Sequence, residues 1–300
     1  MRCLTGLLVG AITLTPLAMA EAAEPFCPKG SNPNPNVIWC DSFEDEDLAL
    51  NGTVGGNYFE FDTDNGDLAR VNSERVHGQY ALRARWQSGE IDAGHFIRNF
   101  GRNPIGSQSH SQQDFREIYW RFYFKLQSGF VGHPDKYTRA TIFAGSNWQQ
   151  AMIAHVWADS NAREFLLLDP ARGINSESQL VTTKWNDFEN LSWIGAKRGV
   201  TAVQAGRWYC LEVHVRLNDP GQSNGVFEFW IDNQLEAARI DLNWVFSWQD
   251  YGINSVLLEN YWNSGSPVQQ ERYMDALVIS TQRIGCVNPS LTPPTNLRVQ

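Results

Sequence analysis

Polar side chains that can transfer protons alternate with apolar ones in two segments of this chain. In LLENYWN, Leu257, Glu259, Tyr261 and Asn263 share one face, because successive side chains of a strand point to opposite sides. In MIAHVW, His155 lies among apolar residues. Tyrosine and histidine can take and return protons, and amides or cations can stabilise a developing negative charge. These residue types indicate acid–base chemistry.

Cationic side chains occur in two further segments. Arg121 in YWRFYFK shares a strand face with Tyr119 and Tyr123. In HPDKYTRA, Lys136 and Arg139 lie at a predicted junction of loop and strand. Arg121, Arg139 and Lys136 are therefore candidates for neutralising a carboxylate.

The segment 206–234 predicts an antiparallel hairpin. Its first strand places apolar residues, such as Val213, on one face and Glu212, His214 and Arg216 on the other. Turn residues follow, and the second strand carries Trp230. His214 and Arg216 form a competing polar pair for a binding site.

Short aromatic and β-branched runs, separated by Gly, Asn, Asp and Ser, recur along the chain, whereas long runs of helical period are hard to find. This spacing predicts a two-sheet β-sandwich with little helix. Its first strand lies in VIWCDSFED, and the other strand-like runs are Tyr80–Trp86, Ile118–Leu126, Arg139–Ala144, Met152–Trp157, Glu164–Leu168, Trp208–Leu217, Val226–Ile231, Ser255–Asn263 and Arg272–Ser280.

The ends of the chain differ in composition from its centre. Residues 1–20 carry Arg2, an apolar run and Ala18-Met19-Ala20, which predicts a signal peptide and hence a secreted, extracellular or periplasmic protein. We expect an N-terminal arm at 21–36, one folded domain at 37–287 and a C-terminal linker or tail at 288–300.

Four cysteines remain after the predicted signal, an even number that suggests two disulfides in an oxidising compartment. Three pairings exist. We favour Cys27–Cys40, which closes a Pro- and Asn-rich segment, and Cys210–Cys286, which ties a central strand to the end of the domain.

The formal net charge is −9, and loss of Arg2 with the signal changes it by one, to −10. This charge does not favour nucleic acid or an anionic membrane as a partner. An acidic polysaccharide would require Arg and Lys side chains concentrated on one face. We expect a monomer.

The order of several phrases resembles the concanavalin A-like jelly-roll superfamily, and more closely its alginate and glucuronan lyases. The phrases are SFED at 42–45, IYWRFYFKL at 118–126, GRWYCLEVHVRLNDPGQSNG at 206–225, FEFWIDNQ at 227–234 and YMDALVISTQRIG at 273–285. The resemblance implies an all-β, two-sheet antiparallel jelly-roll sandwich. It also implies a secreted lyase that cleaves a uronic-acid-containing polysaccharide by β-elimination.

The resemblance assigns roles to candidate residues. Tyr261 would be the proton-transfer residue and His155 its helper, while Arg121 or Arg139, together with Asn263, would neutralise the uronate. Asn263 stands where the lyase strand has Gln, Leu257 stands where it has Lys, and the strand of His155 lacks the Gln of the lyase Gln-x-His. The expected substrate-binding residues are Lys136, His214, Arg216, Glu259 and Trp230.

Other interpretations remain open. A non-catalytic carbohydrate-binding or adhesion module shares this fold, and Tyr261, His155 and His214 could be structural residues. A glycoside hydrolase requires two carboxylates, but the Glu-x-Asp-x-x-Glu strand of glucanases of this fold is absent from the sequence. No cofactor is required; Glu44 and Asp275 are candidate ligands of a structural Ca²⁺, or else solvated charges at a sheet edge.

Overall fold

The computed structural model describes residue 27, residues 34–44 and residues 58–287. The predicted signal at 1–20, most of the arm at 21–36 and the tail at 288–300 lie outside these residues. The described ranges contain β-strands and one 3-10 turn, Asp64–Gly66. No helix in these ranges is long and apolar enough to cross a membrane. The domain limits proposed from the sequence stay a prediction.

The strands form two antiparallel sheets, which confirms the predicted jelly-roll sandwich. Sheet A has the order β14-β13-β12-β6-β16-β4-β3, with β1 also paired to β16. Its strands are β1 (Val37–Asp41), β3 (Leu68–Val71), β4 (Ala81–Trp86), β6 (Glu117–Leu126), β12 (Trp208–Arg216), β13 (Gly225–Ile231), β14 (Gln234–Leu242) and β16 (Gln270–Ser280).

Sheet B has the order β10-β9-β8-β7-β15-β5-β2, with β11 also paired to β9. Its strands are β2 (Glu60–Asp62), β5 (Asp92–Asn99), β7 (Lys136–Phe143), β8 (Gln150–Ala158), β9 (Phe165–Arg172), β10 (Ser192–Trp193), β11 (Lys197–Ala202) and β15 (Ser255–Tyr261).

The core lies between the two sheets and is built from the apolar face of each strand. The predicted hairpin at 206–234 is present as β12 and β13. Leu211, Val213 and Val215 are fully buried in this core, whereas Glu212 and His214 lie on the other face of β12. Alternation along the sequence therefore identified the inward face correctly.

Two disulfides join the residues expected from the sequence. Cys27 pairs with Cys40, and Cys210 pairs with Cys286, with Cα–Cα distances of 5.7 and 6.0 Å. The first bond ties the N-terminal region to β1, and the second ties β12 to the segment that follows β16. Both predicted pairings are confirmed.

Candidate functional site

The two sheets separate the predicted site residues into two groups. Lys136, Arg139, His155, Glu259 and Tyr261 all belong to sheet B, on β7, β8 and β15. The other candidates on strands belong to sheet A, and these are Arg121, His214, Arg216, Trp230 and Asp275. Because each sheet turns its polar face away from the shared core, the structure does not bring the two groups together.

Strand pairing brings the sheet B residues together. β15 lies between β7 and β5, and its register sets Leu257 opposite Arg139, Tyr261 opposite Lys136 and Glu259 opposite His95. Residues directly opposite each other on antiparallel strands are close neighbours on one face.

Arg272 fixes this register from the core side of the sheets. It is buried, and its guanidinium donates to the carbonyl oxygens of Lys136 and Glu259 and to Oδ1 of Asn260. These bonds hold β15 against β7 underneath the polar face.

A cavity of about 150 Å³ opens on this polar face, and we call it the catalytic cavity only for the role proposed for it below. Lys136, Arg139, Glu259, Tyr261 and His95 all line it. A second cavity of about 360 Å³ shares His95 and Trp185 with the first and reaches Glu60 and Trp148. Together the two cavities form a groove that crosses the strands of sheet B from β7 towards β2.

Arg139 is buried, and two of its guanidinium nitrogens contact other side chains. One guanidinium nitrogen lies 3.0 Å from Oε1 of Glu259, another donates to Oδ1 of Asn186 at 2.8 Å, and the group stacks on Trp185 at 4.3 Å. Burial lowers the pKa of Arg139, and the charge of Glu259 opposes this effect. Because its guanidinium already faces a carboxylate, Arg139 is poorly placed to neutralise a substrate anion by itself.

Lys136 differs from Arg139 because no carboxylate in the described part of the chain forms an ion pair with it. Its ammonium lies 4.1 Å from the ring centre of Tyr261 and 5.4 Å from that of Trp157. Burial lowers the pKa of Lys136, Arg139 lowers it further, and Glu259 opposes both. A cation between aromatic rings at the wall of a cavity is suited to bind an anionic ligand.

His95 is a site residue that the sequence did not reveal. Its Nε2 lies 3.1 Å from Oε1 of Glu60, and its Nδ1 lies 3.8 Å from Oδ2 of Asp92. Burial alone would lower its pKa, but Glu60, Asp92 and Glu259 outweigh burial and raise the pKa of His95. His95 is therefore held towards its protonated form, which suits a proton donor.

His155 lies beside the catalytic cavity rather than in its wall. Its Nδ1 donates to the backbone oxygen of Asp169 at 3.0 Å, because a carbonyl can only accept. Burial, reinforced by Arg139, places the pKa of His155 well below its usual range, so the ring is neutral. Its Nε2 then carries a lone pair with no hydrogen-bond partner among the described residues, and Trp157 and Trp193 pack against the ring.

The loop between β9 and β10 forms the wall opposite β15. Asp187 closes its turn by accepting from the backbone N and the hydroxyl of Thr183 and from Asn190, and these bonds lower the pKa of Asp187. The turn presents Trp185 and Asn186 to Arg139. Sequence alone did not identify this loop, whose one available signal was a cluster of aromatic and turn-forming residues.

Asn263 does not join the catalytic cavity. It follows the end of β15, is exposed, and its backbone N donates to Oδ2 of Asp135. The alternation of side chains that the sequence predicted as far as Asn263 ends at Tyr261, because the chain turns after that residue.

The polar candidates of sheet A are bound to other parts of the protein. His214 stacks on Tyr119 at 4.1 Å, and its two ring nitrogens contact Glu228 at 3.0 Å and Glu117 at 2.8 Å. Arg216 donates to the backbone oxygen of Asn224. These contacts support the structural interpretation of the hairpin's polar face.

Arg121 and Trp230 lie on the same face of sheet A as His214. Arg121 is fully buried over the ring of Tyr123, and Arg283 covers Trp230. The segment after β16 adds further cover, because the backbone N of Ile284 donates to buried Glu212. Neither Arg121 nor Trp230 shares a cavity with Tyr261.

Glu44 and Asp275, the candidate metal ligands, are neighbours in the structure. Oδ2 of Asp275 accepts from the backbone N of Val76 and of His77, whereas its buried Oδ1 has no hydrogen-bond partner among the described residues. Burial raises the pKa of Asp275 to about 7, and the charge of Glu44 adds to the rise. Glu44 itself accepts from the backbone N of Gln79 and Tyr80.

The architecture is a lyase-like jelly roll, so the relationship inferred from the sequence is confirmed at the level of the fold. Among solved structures, the chain is similar to the endo-β-1,4-glucuronan lyase of the fungus Trichoderma reesei, with a TM-score of 0.55 and 14% identity over 78% of this chain and 92% of that one.

Two alginate lyases are similar to the same extent. The PL-14 enzyme of Aplysia kurodai has a TM-score of 0.58 and 10% identity over 82% of this chain and 99% of that one. The enzyme vAL-1 of Chlorella virus has a TM-score of 0.51 and 12% identity over 75% of this chain and 100% of that one. Comparisons of the sequence with protein-family models and with curated proteins gave no match. At such low identity, these similarities show the fold alone.

Proposed function

We propose that the protein is a polysaccharide lyase that binds a uronic-acid-containing chain in the groove of sheet B and cleaves it by β-elimination. The observation that carries the proposal is the set of groups lining the catalytic cavity. Lys136 is a cation that forms no ion pair with a carboxylate of the described residues, Tyr261 is a phenol next to it, and His95 is a histidine held towards its protonated form.

β-Elimination needs a group that neutralises the carboxylate, a base and an acid. Lys136 binds the substrate carboxylate and stabilises the charge that it gains when the neighbouring C-5–H bond breaks. Tyr261, whose ring centre lies 4.1 Å from the ammonium of Lys136, takes the C-5 proton on its phenolate oxygen. The electron pair forms the C4=C5 double bond, the C4–O4 bond breaks, and His95 gives its proton to O-4.

Arg139 and His155 have positioning roles in this proposal. Arg139 joins Glu259 to the loop that carries Trp185 and Asn186, so it shapes the cavity from both sides. His155 supports Trp157, which lies next to the ammonium of Lys136.

A direct assay tests the reaction. The protein is incubated with alginate, glucuronan, heparin-type polymers and neutral glucans, and the ultraviolet absorbance of the new double bond is followed. Tyr261→Phe should lower the rate by about 100-fold or more, the usual contribution of acid–base catalysis. Tyr119→Phe, which removes a phenol from the polar face of sheet A, should leave the rate unchanged. Binding without new absorbance would identify a non-catalytic module instead.

Two carboxylates in the same cavity favour one second candidate, a glycoside hydrolase. Asp92 and Glu259 both line the catalytic cavity. Burial, with a contribution from Asp62, raises the pKa of Asp92 despite the opposing charge of His95. A carboxyl group with a raised pKa could act as the acid of a hydrolase. Release of reducing sugar without ultraviolet absorbance would favour this reaction over β-elimination.

The proposal includes export and a structural Ca²⁺. Disulfides persist in oxidising compartments, so the two cystines support a secreted protein. Asp275 and Glu44 fit a calcium ion because they offer carboxylate oxygens at one place, including a buried oxygen with no hydrogen bond in the described chain. Added Ca²⁺ should raise the melting temperature of the protein but not that of Asp275→Asn. An equal rise in both would place the ion elsewhere.

A further inference from the structure

A pair of exposed aromatic rings lies at the edge of sheet B, away from the catalytic cavity. Phe188 and Trp193 are each 45% exposed, and their rings are nearly parallel, at 15°, with centres 6.2 Å apart. The other large apolar side chains that are exposed in the described residues are all aliphatic. The two flat exposed rings of the described surface therefore occur at one place.

These rings continue towards the flank of the catalytic cavity. Trp193 lies 6.1 Å from Trp157 and 5.6 Å from His155, measured between ring centres. His155 is opposite Arg139 in the pairing of β7 and β8. We call Trp157, Phe188 and Trp193 the aromatic ledge. It reaches from the flank of the catalytic cavity to β10, the edge strand of sheet B.

We propose that the aromatic ledge is a distal sugar-binding subsite, on which a pyranose ring of the bound polysaccharide stacks. The inference rests on the proposed polysaccharide substrate, and it adds a specificity for chain length. The electron-rich face of an aromatic ring attracts the positively polarised C–H groups of a sugar face. Burial of both apolar faces from water adds to the attraction.

The distance from the cavity determines which ligands can reach the ledge. Between β7, which carries Lys136, and β10, which carries Trp193, the sheet order has three strand spacings. At about 4.8 Å each, these spacings separate the backbones of β7 and β10 by roughly 14 Å. The ring of Trp157 lies between them, 5.4 Å from the ammonium of Lys136 and 6.1 Å from the ring of Trp193. Phe188 and Trp193, the exposed rings of the ledge, lie beyond Trp157 as seen from Lys136, so a chain of more than one sugar is needed to occupy both the cavity and this pair. The subsite should therefore act on long substrates and not on short ones.

The polar surroundings indicate which face of the sugar is recognised. Neither Phe188 nor Trp193 makes a cation–π contact within the described part of the protein. The ledge therefore recognises the apolar face of a ring rather than its carboxylate, whereas Lys136 recognises the charge. Uronate and neutral residues should both be accepted at this position.

The test compares the wild-type protein with Trp193→Ala, Trp193→Phe and Phe188→Ala. Affinity for alginate, for glucuronan and for a length series of their oligosaccharides is measured by calorimetry, together with kcat and KM from ultraviolet absorbance. Trp193→Ala should weaken binding of the polymers about tenfold, the size expected for loss of one aromatic contact, and raise KM without changing kcat. It should leave the shortest oligosaccharides unaffected.

Trp193→Phe and one further variant, Ile240→Ala, serve as controls. Trp193→Phe keeps a ring and should retain most of the affinity, whereas Ile240→Ala, at a 68% exposed position on β14, should change nothing. Unchanged polymer affinity in Trp193→Ala and Phe188→Ala would overturn the subsite. So would an equal loss for all chain lengths, or a change in oligomeric state without a change in affinity, which would mark an interface between two copies.

The outcomes separate this inference from the proposed reaction. If the polymers bind without cleavage and Trp193→Ala still weakens binding, the proposed subsite is supported and the proposed lyase reaction is refuted. If the polymers are cleaved and Trp193→Ala leaves KM unchanged, the proposed reaction is supported and the proposed subsite is refuted. Absence of binding to every polymer would overturn both.

Discussion

The ion pair of Arg139 and Glu259 offers a quantitative test of the site geometry. The two side chains are 2% and 9% exposed, and their charges lie 3.0 Å apart. Glu259→Leu would leave a buried guanidinium without its carboxylate, which costs about 3–5 kcal/mol. For a domain of this size, that loss corresponds to a fall in melting temperature of roughly 6–20 °C.

A double-mutant cycle isolates the pair from the packing of each side chain. Arg139→Met alone should also be strongly destabilising, whereas Arg139→Met combined with Glu259→Leu should recover much of the loss, because neither charge is then buried alone. Guanidinium unfolding followed by tryptophan fluorescence gives the four free energies of unfolding. The exposed pair of Arg239 and Asp241 is the control, since Asp241→Leu should cost less than about 1 kcal/mol.

Two results would refute this reasoning. If Glu259→Leu cost no more than the control substitution at Asp241, Arg139 would be solvated by water rather than paired in a dry site. If the double variant were no more stable than Glu259→Leu, the loss would come from packing rather than from the unpaired charge.

Three further predictions concern the site and the disulfide. Glu60→Gln should lower the pKa of His95, which NMR can measure. It should also shift the alkaline limb of the kcat/KM pH profile to lower pH, because the proposed acid is active only while protonated. An alkaline limb that does not move would exclude His95 as that acid. Because folded His155 stays neutral while the unfolded chain takes up a proton, wild type should lose stability relative to His155→Gln as the pH drops below about 6.5, by at most about 1.4 kcal/mol per pH unit. The comparison with the variant is needed because Asp275, whose pKa is raised to about 7, contributes a slope of opposite sign. Replacing Cys210 and Cys286 by serine should cost about 2–5 kcal/mol in denaturant unfolding; a smaller loss would mean that the segment after β16 is held mainly by its hydrogen bonds.

The strands that sequence reasoning predicted and those that it missed differ for a physical reason. Alternation identified β6 and β12 because their inward positions are uniformly apolar, and β15 because Val256 and Leu258 both point into the core. It missed β5, in which Gly94 has a φ of +82° and interrupts the alternating pattern just before His95. For β9, the strand predicted from the sequence ends at Leu168, two residues before Pro170. In the structure the strand continues, and the carbonyl of Pro170 accepts a hydrogen bond from the backbone N of Ile194. Glycine and proline predict breaks from local geometry alone, whereas neighbouring strands decide whether pairing continues.

The site could be predicted only in part for a related reason. Tyr261, Glu259, Lys136 and Arg139 were chosen as candidates because their residue types suit the chemistry, and strand pairing brings them together in the structure. Nothing local in the sequence distinguishes these strands from β12, whose polar face is just as rich. The sheet to which a strand belongs depends on long-range pairing, so the separation of the two groups could not be predicted.

The polar face of the β12–β13 hairpin and the wall of the catalytic cavity differ in how completely their polar groups are hydrogen-bonded. On sheet A, both nitrogens of His214 contact carboxylates, and Glu212 is bonded to the backbone of the covering segment. On sheet B, Lys136 has no ion pair in the described chain, and Oε2 of Glu259 and Nε2 of His155 have no hydrogen-bond partner there. Buried polar groups without partners cost free energy, so a fold retains them where water or a ligand supplies the missing contacts. The same residue types therefore stabilise the hairpin of sheet A and stay available to a ligand in the cavity of sheet B, which supports the candidate site there.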